Sequence, residues 1–421
     1  MVRHRFSVNV AWTLGGNVLY AASQWVLVVL LARWTNPEAV GGFALALAVA
    51  APVSLMFNMQ LRAVIAADVA GRRPFVDYFQ ARLVSAAAAV AVAGMLALLT
   101  RDSASTRAVI VLVALSKAAE SLSDIVQGQW QRMEDMRLVG KSLAVRAACV
   151  PVLFASAVIL TRTIVWGAVF LLAGSIGVFL LYDYPAVRRA IEAAGERSGL
   201  FRLEFRRIAI IRPLIRMSAP LGVVAMLISL NASIPRYFID AYRGKHDLGV
   251  FSALAYFIVV GNLLVNSVGQ SAIPRLAKLY RPAALREFLR ALFRLMALSL
   301  GLGVLSLLIS IRFGRVLLAI YGDDYAAAYQ VFVLIMAAAA IGYLISVLNY
   351  TLNVIQAYAI QVPLFLGISI LLAVVCPVVV PAYGIGGAAA ALLATGVVQM
   401  IASAAVIACR IRKDRIQTLC S

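Results

Sequence analysis

Apolar runs of about 18 or more residues recur from one end of this chain to the other, each long enough to cross a bilayer as a helix. Inside lipid the backbone N–H and C=O groups must be satisfied within the protein, and runs of this length do so by coiling into α-helices that bundle together. Composition agrees. Of 421 residues 63% are hydrophobic and only 13% are charged, against roughly half and a quarter in soluble domains. The excess exceeds what one water-soluble core hides. Cytosolic enzymes, secreted disulfide scaffolds and disordered chains are therefore excluded. The runs predict twelve spans near residues 8–33, 39–58, 79–100, 107–127, 143–161, 164–182, 217–240, 248–272, 291–311, 327–349, 360–380 and 384–409. The N-terminal run continues to Ala32, too far for a cleaved signal, and reads as a retained first helix.

The net charge of +20 would suggest a nucleic-acid partner in a soluble protein. Here its distribution says otherwise. With the N-terminus inside, 25 of the 38 Lys and Arg residues fall in inner segments, 8 in outer segments and 5 within or at the edge of spans. Basic residues stay on the cytoplasmic side, so both termini are expected there and no nucleic acid is needed. The basic segment 183–216 carries Arg188, Arg189, Arg197, Arg202, Arg206, Arg207, Arg212 and Arg216. It reads either as an amphipathic helix on an anionic leaflet or as a plain basic linker. On this basis residues 1–182 form an N-terminal six-helix lobe, 217–409 a C-terminal one, and 410–421 a cytoplasmic tail. Val40-Gly41-Gly42-Phe43-Ala44 and Leu248-Gly249-Val250-Phe251-Ser252 open corresponding spans of the two halves, a weak mark of duplication. Two parallel repeats would be related by an axis along the membrane normal and would rock around a central cavity, which makes transport the default function.

A charge at mid-bilayer costs about 2.5–3.5 kcal/mol, so each one asks for a partner or a wet cavity. Lys117, Glu120 and Asp124 share one face of the fourth span, continued by Gln127, and Arg146 enters the fifth span at a similar depth. Two cations and two carboxylates cancel. The set is expected either to fix helix packing or to serve as an H+ or Na+ relay or gate. Asn9, Thr13, Asn17 and Gln24 form a polar stripe on the first span, and Asn262, Asn266 and Gln270 a second on the eighth. Carboxamides bridge helices and equally suit sugar hydroxyls. Arg236 in Ile234-Pro235-Arg236-Tyr237 has Asp240 as its simplest partner, and Arg62 lies just past the second span. If both face a cavity they suit an anionic head group, since the guanidinium fork matches phosphate oxygens.

Two His residues and four Cys without CxxC spacing supply neither a metal site nor a disulfide framework. There is no Walker A sequence, and no loop is long enough for a catalytic domain. No enzyme and no cofactor are expected.

Several segments together carry a family likeness: Leu14-Gly15-Gly16-Asn17 leading to Leu31-Ala32-Arg33, then Gly41-Gly42-Phe43-Ala44-Leu45-Ala46 and Phe79-Gln80-Ala81-Arg82-Leu83. Further on come Lys117-Ala118-Ala119-Glu120-Ser121-Leu122-Ser123-Asp124, Ser233-Ile234-Pro235-Arg236-Tyr237-Phe238 and Gly269-Gln270-Ser271-Ala272-Ile273-Pro274-Arg275-Leu276. At these residues the chain resembles the polysaccharide-transport branch of the multidrug/oligosaccharidyl-lipid/polysaccharide (MOP) exporter superfamily, the Wzx-like O-antigen and exopolysaccharide flippases. The resemblance implies an all-α, MATE-like fold of twelve transmembrane helices in two six-helix lobes. It implies a protein of the bacterial inner membrane that carries an undecaprenyl-pyrophosphate-linked oligosaccharide outward, in company with a polysaccharide polymerase or assembly complex. Arg62, Arg236 and Arg33 are the residues carried over for the pyrophosphate. The rival within the superfamily is an ion-coupled exporter of small compounds using Glu120 and Asp124. A membrane-embedded polymerase or ligase would need catalytic residues on an outer surface, where the loops are short.

Overall fold

A computed structural model describes the backbone of residues 2–68, 71, 73–100, 102–193, 205–280, 284–355 and 357–420. Every regular element among them is helical. In chain order these are α1 (Val2–Trp34), α2 (Pro37–Asn58), α3 (Leu61–Ala67), α4 (Phe75–Leu99), α5 (Ala104–Arg132), α6 (Met136–Thr161) and α7 (Ile164–Val178). A π-helical turn, Phe179–Asp183, leads into α8 (Tyr184–Ala193). Then follow α9 (Phe205–Leu279), α10 (Leu285–Ala319), α11 (Asp323–Ala326), α12 (Tyr329–Val354) and α13 (Tyr358–Cys420). The chain divides into two compact units, Met1–Ser233 and Ile234–Ser421.

Local chemistry sets the starts. Asn36 caps α2 by accepting from Ala39 N at 3.0 Å with Pro37 in the first turn, and Ser103 caps α5 by accepting from Thr106 N at 3.3 Å. Among the described residues nine helical ranges are long and apolar enough to cross a membrane. Two of these, Ile211–Leu263 and Ile360–Arg412, run to 53 residues each, far beyond the ~20 that a bilayer core needs. Each contains one glycine outside helical dihedrals: Gly244 (φ 84°, ψ −177°) and Gly384 (φ 59°, ψ −141°). A side chain at Gly244 would meet a backbone region that essentially only glycine occupies, so the chain breaks there.

In the first unit α5 is the hub. It packs on α2, α3, α4, α6 and α7. This explains why the helix with the most charges among the expected spans is absent from the nine apolar ones: surrounded by protein, it needs no lipid-compatible surface. Beside it, α1 packs on α6 so closely that a Cβ on Gly140 would stand 2.6 Å from the Trp12 carbonyl oxygen. Gly16 faces Gly140 across the same crossing, while Gly15 looks into open space. Phe75, Phe79, Trp130 and Phe179 build the core near one end of this unit.

The same core takes in apolar positions of the basic segment. Val187 and Ile191 of α8, with Ile211 and Leu214 of α9, are buried in it. The apolar face of α8 is therefore turned to protein, and its exposed face holds the Arg188–Glu192 pair at 2.7 Å. Residues 194–204 of the expected linker, with Arg197 and Arg202, lie outside the described residues. In the second unit α12 packs on α10 and α13. Phe257 joins them, its ring 5.0 Å from Phe332 and 5.8 Å from Tyr321.

Candidate functional site

Within the first unit a half-open pocket of ≈ 360 Å³ is lined by α1, α2, α3, α5 and α6. α5 supplies one wall through Lys117, Glu120, Ser121, Asp124 and Gln127. This is the stripe that helical periodicity places on one face. α1 adds Asn17 and Tyr20, and α6 adds Arg146.

The decisive local geometry is the break between α2 and α3. Met59 (φ 48°) and Gln60 (φ 51°) are both left-handed, a conformation that costs energy in residues with a Cβ. The break does two things. It turns Arg62, in the first turn of α3, toward α5, where its Nη1 donates to Asp124 Oδ1 at 3.2 Å and to Gln127 Oε1 at 3.0 Å. It also frees the end of α2, so that the Asn58 carbonyl and side-chain oxygen accept from Arg82 at 2.9 and 2.7 Å.

Arg82 comes from α4 and is wholly buried. Its other Nη reaches Asp124 Oδ2 at 3.3 Å. One carboxylate is thus held by two guanidiniums, one buried behind the wall and one partly open to the pocket. Such charge-assisted bonds keep both arginines in a fixed orientation.

The four charges expected to cancel among themselves are distributed differently. Lys117 pairs with Glu120 at 2.8 Å within α5, and Tyr20 of α1 donates to the same carboxylate over a longer 3.5 Å. Asp124 is taken by Arg62 and Arg82. Arg146 donates to Ser123 Oγ at 2.5 Å and stands 3.8 Å from Asp183. Asp183 ends the π-helical turn and is fully buried. Around the pocket itself three cations (Arg62, Lys117, Arg146) face two carboxylates (Glu120, Asp124), so the lining carries a positive surplus.

The remaining expected residues fall elsewhere. Arg33 is in the last turn of α1, exposed and apart from the pocket lining. Gln24 is half-buried in α1 and also outside that lining. Arg236 is half-buried in the second unit, and the partner expected for it, Asp240, is held by Lys245 at 2.6 Å. Asn262 is half-buried, with its Oδ1 buried and without a hydrogen-bond partner. The side chains of Asn9, Thr13, Asn266 and Gln270 lie outside the described residues. Arg82, Asn58 and Asp183 were missed as site residues. The signal for Arg82 was available: it is a lone cation in an apolar run, which a membrane tolerates only with a partner. Asp183 looked like the first residue of a basic linker. Among the described residues no group of three His, Cys, Asp or Glu side chains could hold a metal ion.

A family model described as "Polysaccharide biosynthesis protein" matches residues 7–280. The chain belongs to that family. All of the residues around the pocket lie within the matched range. A curated relative is the capsular polysaccharide biosynthesis protein CapF of Staphylococcus aureus, 26% identical over 320 residues, covering 75% of this chain and 78% of the relative. Among solved structures, an inward-facing multidrug resistance MATE family transporter of the MOP superfamily superposes with a TM-score of 0.73 at 10% identity, over 97% of this chain and 98% of that one. The lipid II flippase MurJ in its inward closed conformation gives 0.74 at 11% identity, over 96% and 90%. At such identities the likeness speaks to the fold, which is the all-helical, multi-pass fold of MOP superfamily transporters. The expected all-α, MATE-like fold stands on these superpositions, and the polysaccharide side of the resemblance stands on the family match.

Proposed function

We propose that this polysaccharide biosynthesis protein is a flippase that moves a polyprenyl-pyrophosphate-linked oligosaccharide repeat unit across the bacterial inner membrane. The reading has twelve crossings, obtained by dividing the two 53-residue ranges at Gly244 and Gly384 and adding α5. Both termini face the cytoplasm, where the basic segments lie. The observation that carries the reading is the positive surplus of the first-unit pocket, set among groups suited to a sugar phosphate. Arg62 offers a guanidinium that is part-exposed, already oriented by Asp124, and able to exchange Gln127 for a phosphate oxygen. Asn17, Tyr20 and Gln127 supply carboxamide and hydroxyl groups for glycan hydroxyls. Arg236 and Arg33 are assigned to the pyrophosphate path on the family likeness. No covalent step is required of any residue. The lobes alternate access while the polyprenyl tail stays in lipid. Glu120, held by Lys117, is the carboxylate assigned to H+ or Na+ coupling if transport is ion-driven.

The test is a strain deleted for the gene, in which lipid-linked oligosaccharides and surface polysaccharide are both measured. Surface polymer should fall and undecaprenyl-linked repeat units should accumulate on the cytoplasmic leaflet. An unchanged pool and unchanged surface glycan, in a strain with no second flippase, would reject the proposal.

A further inference from the structure

The two ends of α10 treat their arginines differently. The helix is 35 residues long, about 52 Å at 1.5 Å per residue, and residues 295–311 carry no charge. That uncharged stretch spans roughly 25 Å, close to the thickness of a hydrocarbon core. Arg294 and Arg312 therefore mark the two water–membrane boundaries. At the Arg312 end the cations rest on aromatic rings: Arg312 lies 5.4 Å from the Phe313 centroid and Arg315 lies 5.3 Å from Tyr329.

At the other end Arg290 and Arg294 are one turn apart and exposed. Among the described residues neither has a carboxylate in salt-bridge range or a ring beneath it. Instead they line a half-open groove of ≈ 350 Å³ whose opposite wall, from α9, is apolar among the described residues: Ala272, Leu276 and Leu279. Among the described lining residues Glu287 is the one acid. Phe293, 77% exposed, and Leu289, 40% exposed, stand on the same turns as the arginines. Such side chains belong against acyl chains.

A groove with two cations at its boundary end and an apolar wall has the chemistry of a lipid with an anionic head. A soluble anion would leave the apolar wall in contact with water, and a neutral lipid would leave two arginines without a counter-charge. We propose that this groove of the second unit is a binding site for an anionic phospholipid of the surrounding bilayer, with its phosphate between Arg290 and Arg294 and an acyl chain along Leu276 and Leu279. The site is separate from the first-unit pocket and its role does not depend on what that pocket carries.

Native mass spectrometry of the delipidated full-length protein, titrated with phosphatidylglycerol or phosphatidylcholine, tests this. Wild-type protein should retain phosphatidylglycerol in preference to phosphatidylcholine. The R290A/R294A protein should lose about tenfold of that retention, and R290K/R294K should keep most of it. Thermal unfolding in the same detergent confirms that both variants are folded. Equal retention of the two lipids by wild type, or unchanged retention by R290A/R294A, would overturn the site. Displacement of phosphatidylglycerol by equimolar undecaprenyl phosphate would overturn the phospholipid as occupant, because the groove would then belong to the carrier lipid.

Discussion

Two arginine pairs in this protein meet opposite fates. Arg62 and Arg82, in the first unit, converge on one carboxylate, Asp124, and Arg62 also donates to Gln127 while Arg82 also donates to Asn58. Arg290 and Arg294, in the second, sit side by side on an exposed face with no carboxylate in salt-bridge range among the described residues. Depth accounts for the difference. A cation sealed behind a helix wall has no solvent to fall back on and needs a buried counter-charge. One at the membrane boundary keeps access to water and to lipid head groups, so it can be left open for a ligand.

The largest effect should come from breaking the sealed side. Arg82→Ala leaves Asp124 with one partner and strands the Asn58 oxygens, and it should cost about 3–5 kcal/mol. Thermal unfolding in detergent should show a strongly lowered midpoint, together with reduced insertion. A near-normal midpoint would mean that the pair is dispensable to the fold.

Arg62→Ala separates binding from stability at the same carboxylate. Its side chain is 29% exposed, so the stability loss should stay within about 1 kcal/mol. Surface polysaccharide should nevertheless drop about tenfold, the effect of losing one phosphate-directed charge pair. Normal export by an inserted Arg62→Ala protein would remove Arg62 from the substrate path.

The smallest effect is expected on the open side. Glu287→Gln takes away the rim acid of the groove, and retention of phosphatidylglycerol should rise by about two- to threefold, consistent with a single screened surface charge. Weaker retention would show that Glu287 helps hold the arginines in place.

Much of the first-unit site was legible before any coordinates. The stripe Lys117, Glu120, Asp124 and Gln127 follows from 100° per residue, and all four residues line one wall of the pocket. Which acid meets which base was not legible. Arg62, Arg82 and Asp124 are far apart in the chain, and their meeting depends on a left-handed break at Met59 and Gln60 that neither residue type announces. Asp183 shows the same limit: beside a run of arginines it reads as linker, yet the π-helical turn carries it into full burial near Arg146.

Hydropathy by itself determined that this is an all-helical, multi-pass membrane protein, because lipid excludes any backbone that does not satisfy its own hydrogen bonds. The helical period determined which residues share a face. Only the tertiary structure decided that the charged α5 is the hub of its unit, and that α8 turns its apolar face to protein. It alone decided that Asp124 is shared by two arginines, while Arg290 and Arg294 have no carboxylate in salt-bridge range among the described residues. Partner choice between distant residues depends on helix crossings a few ångströms apart, and a one-dimensional pattern does not encode those distances.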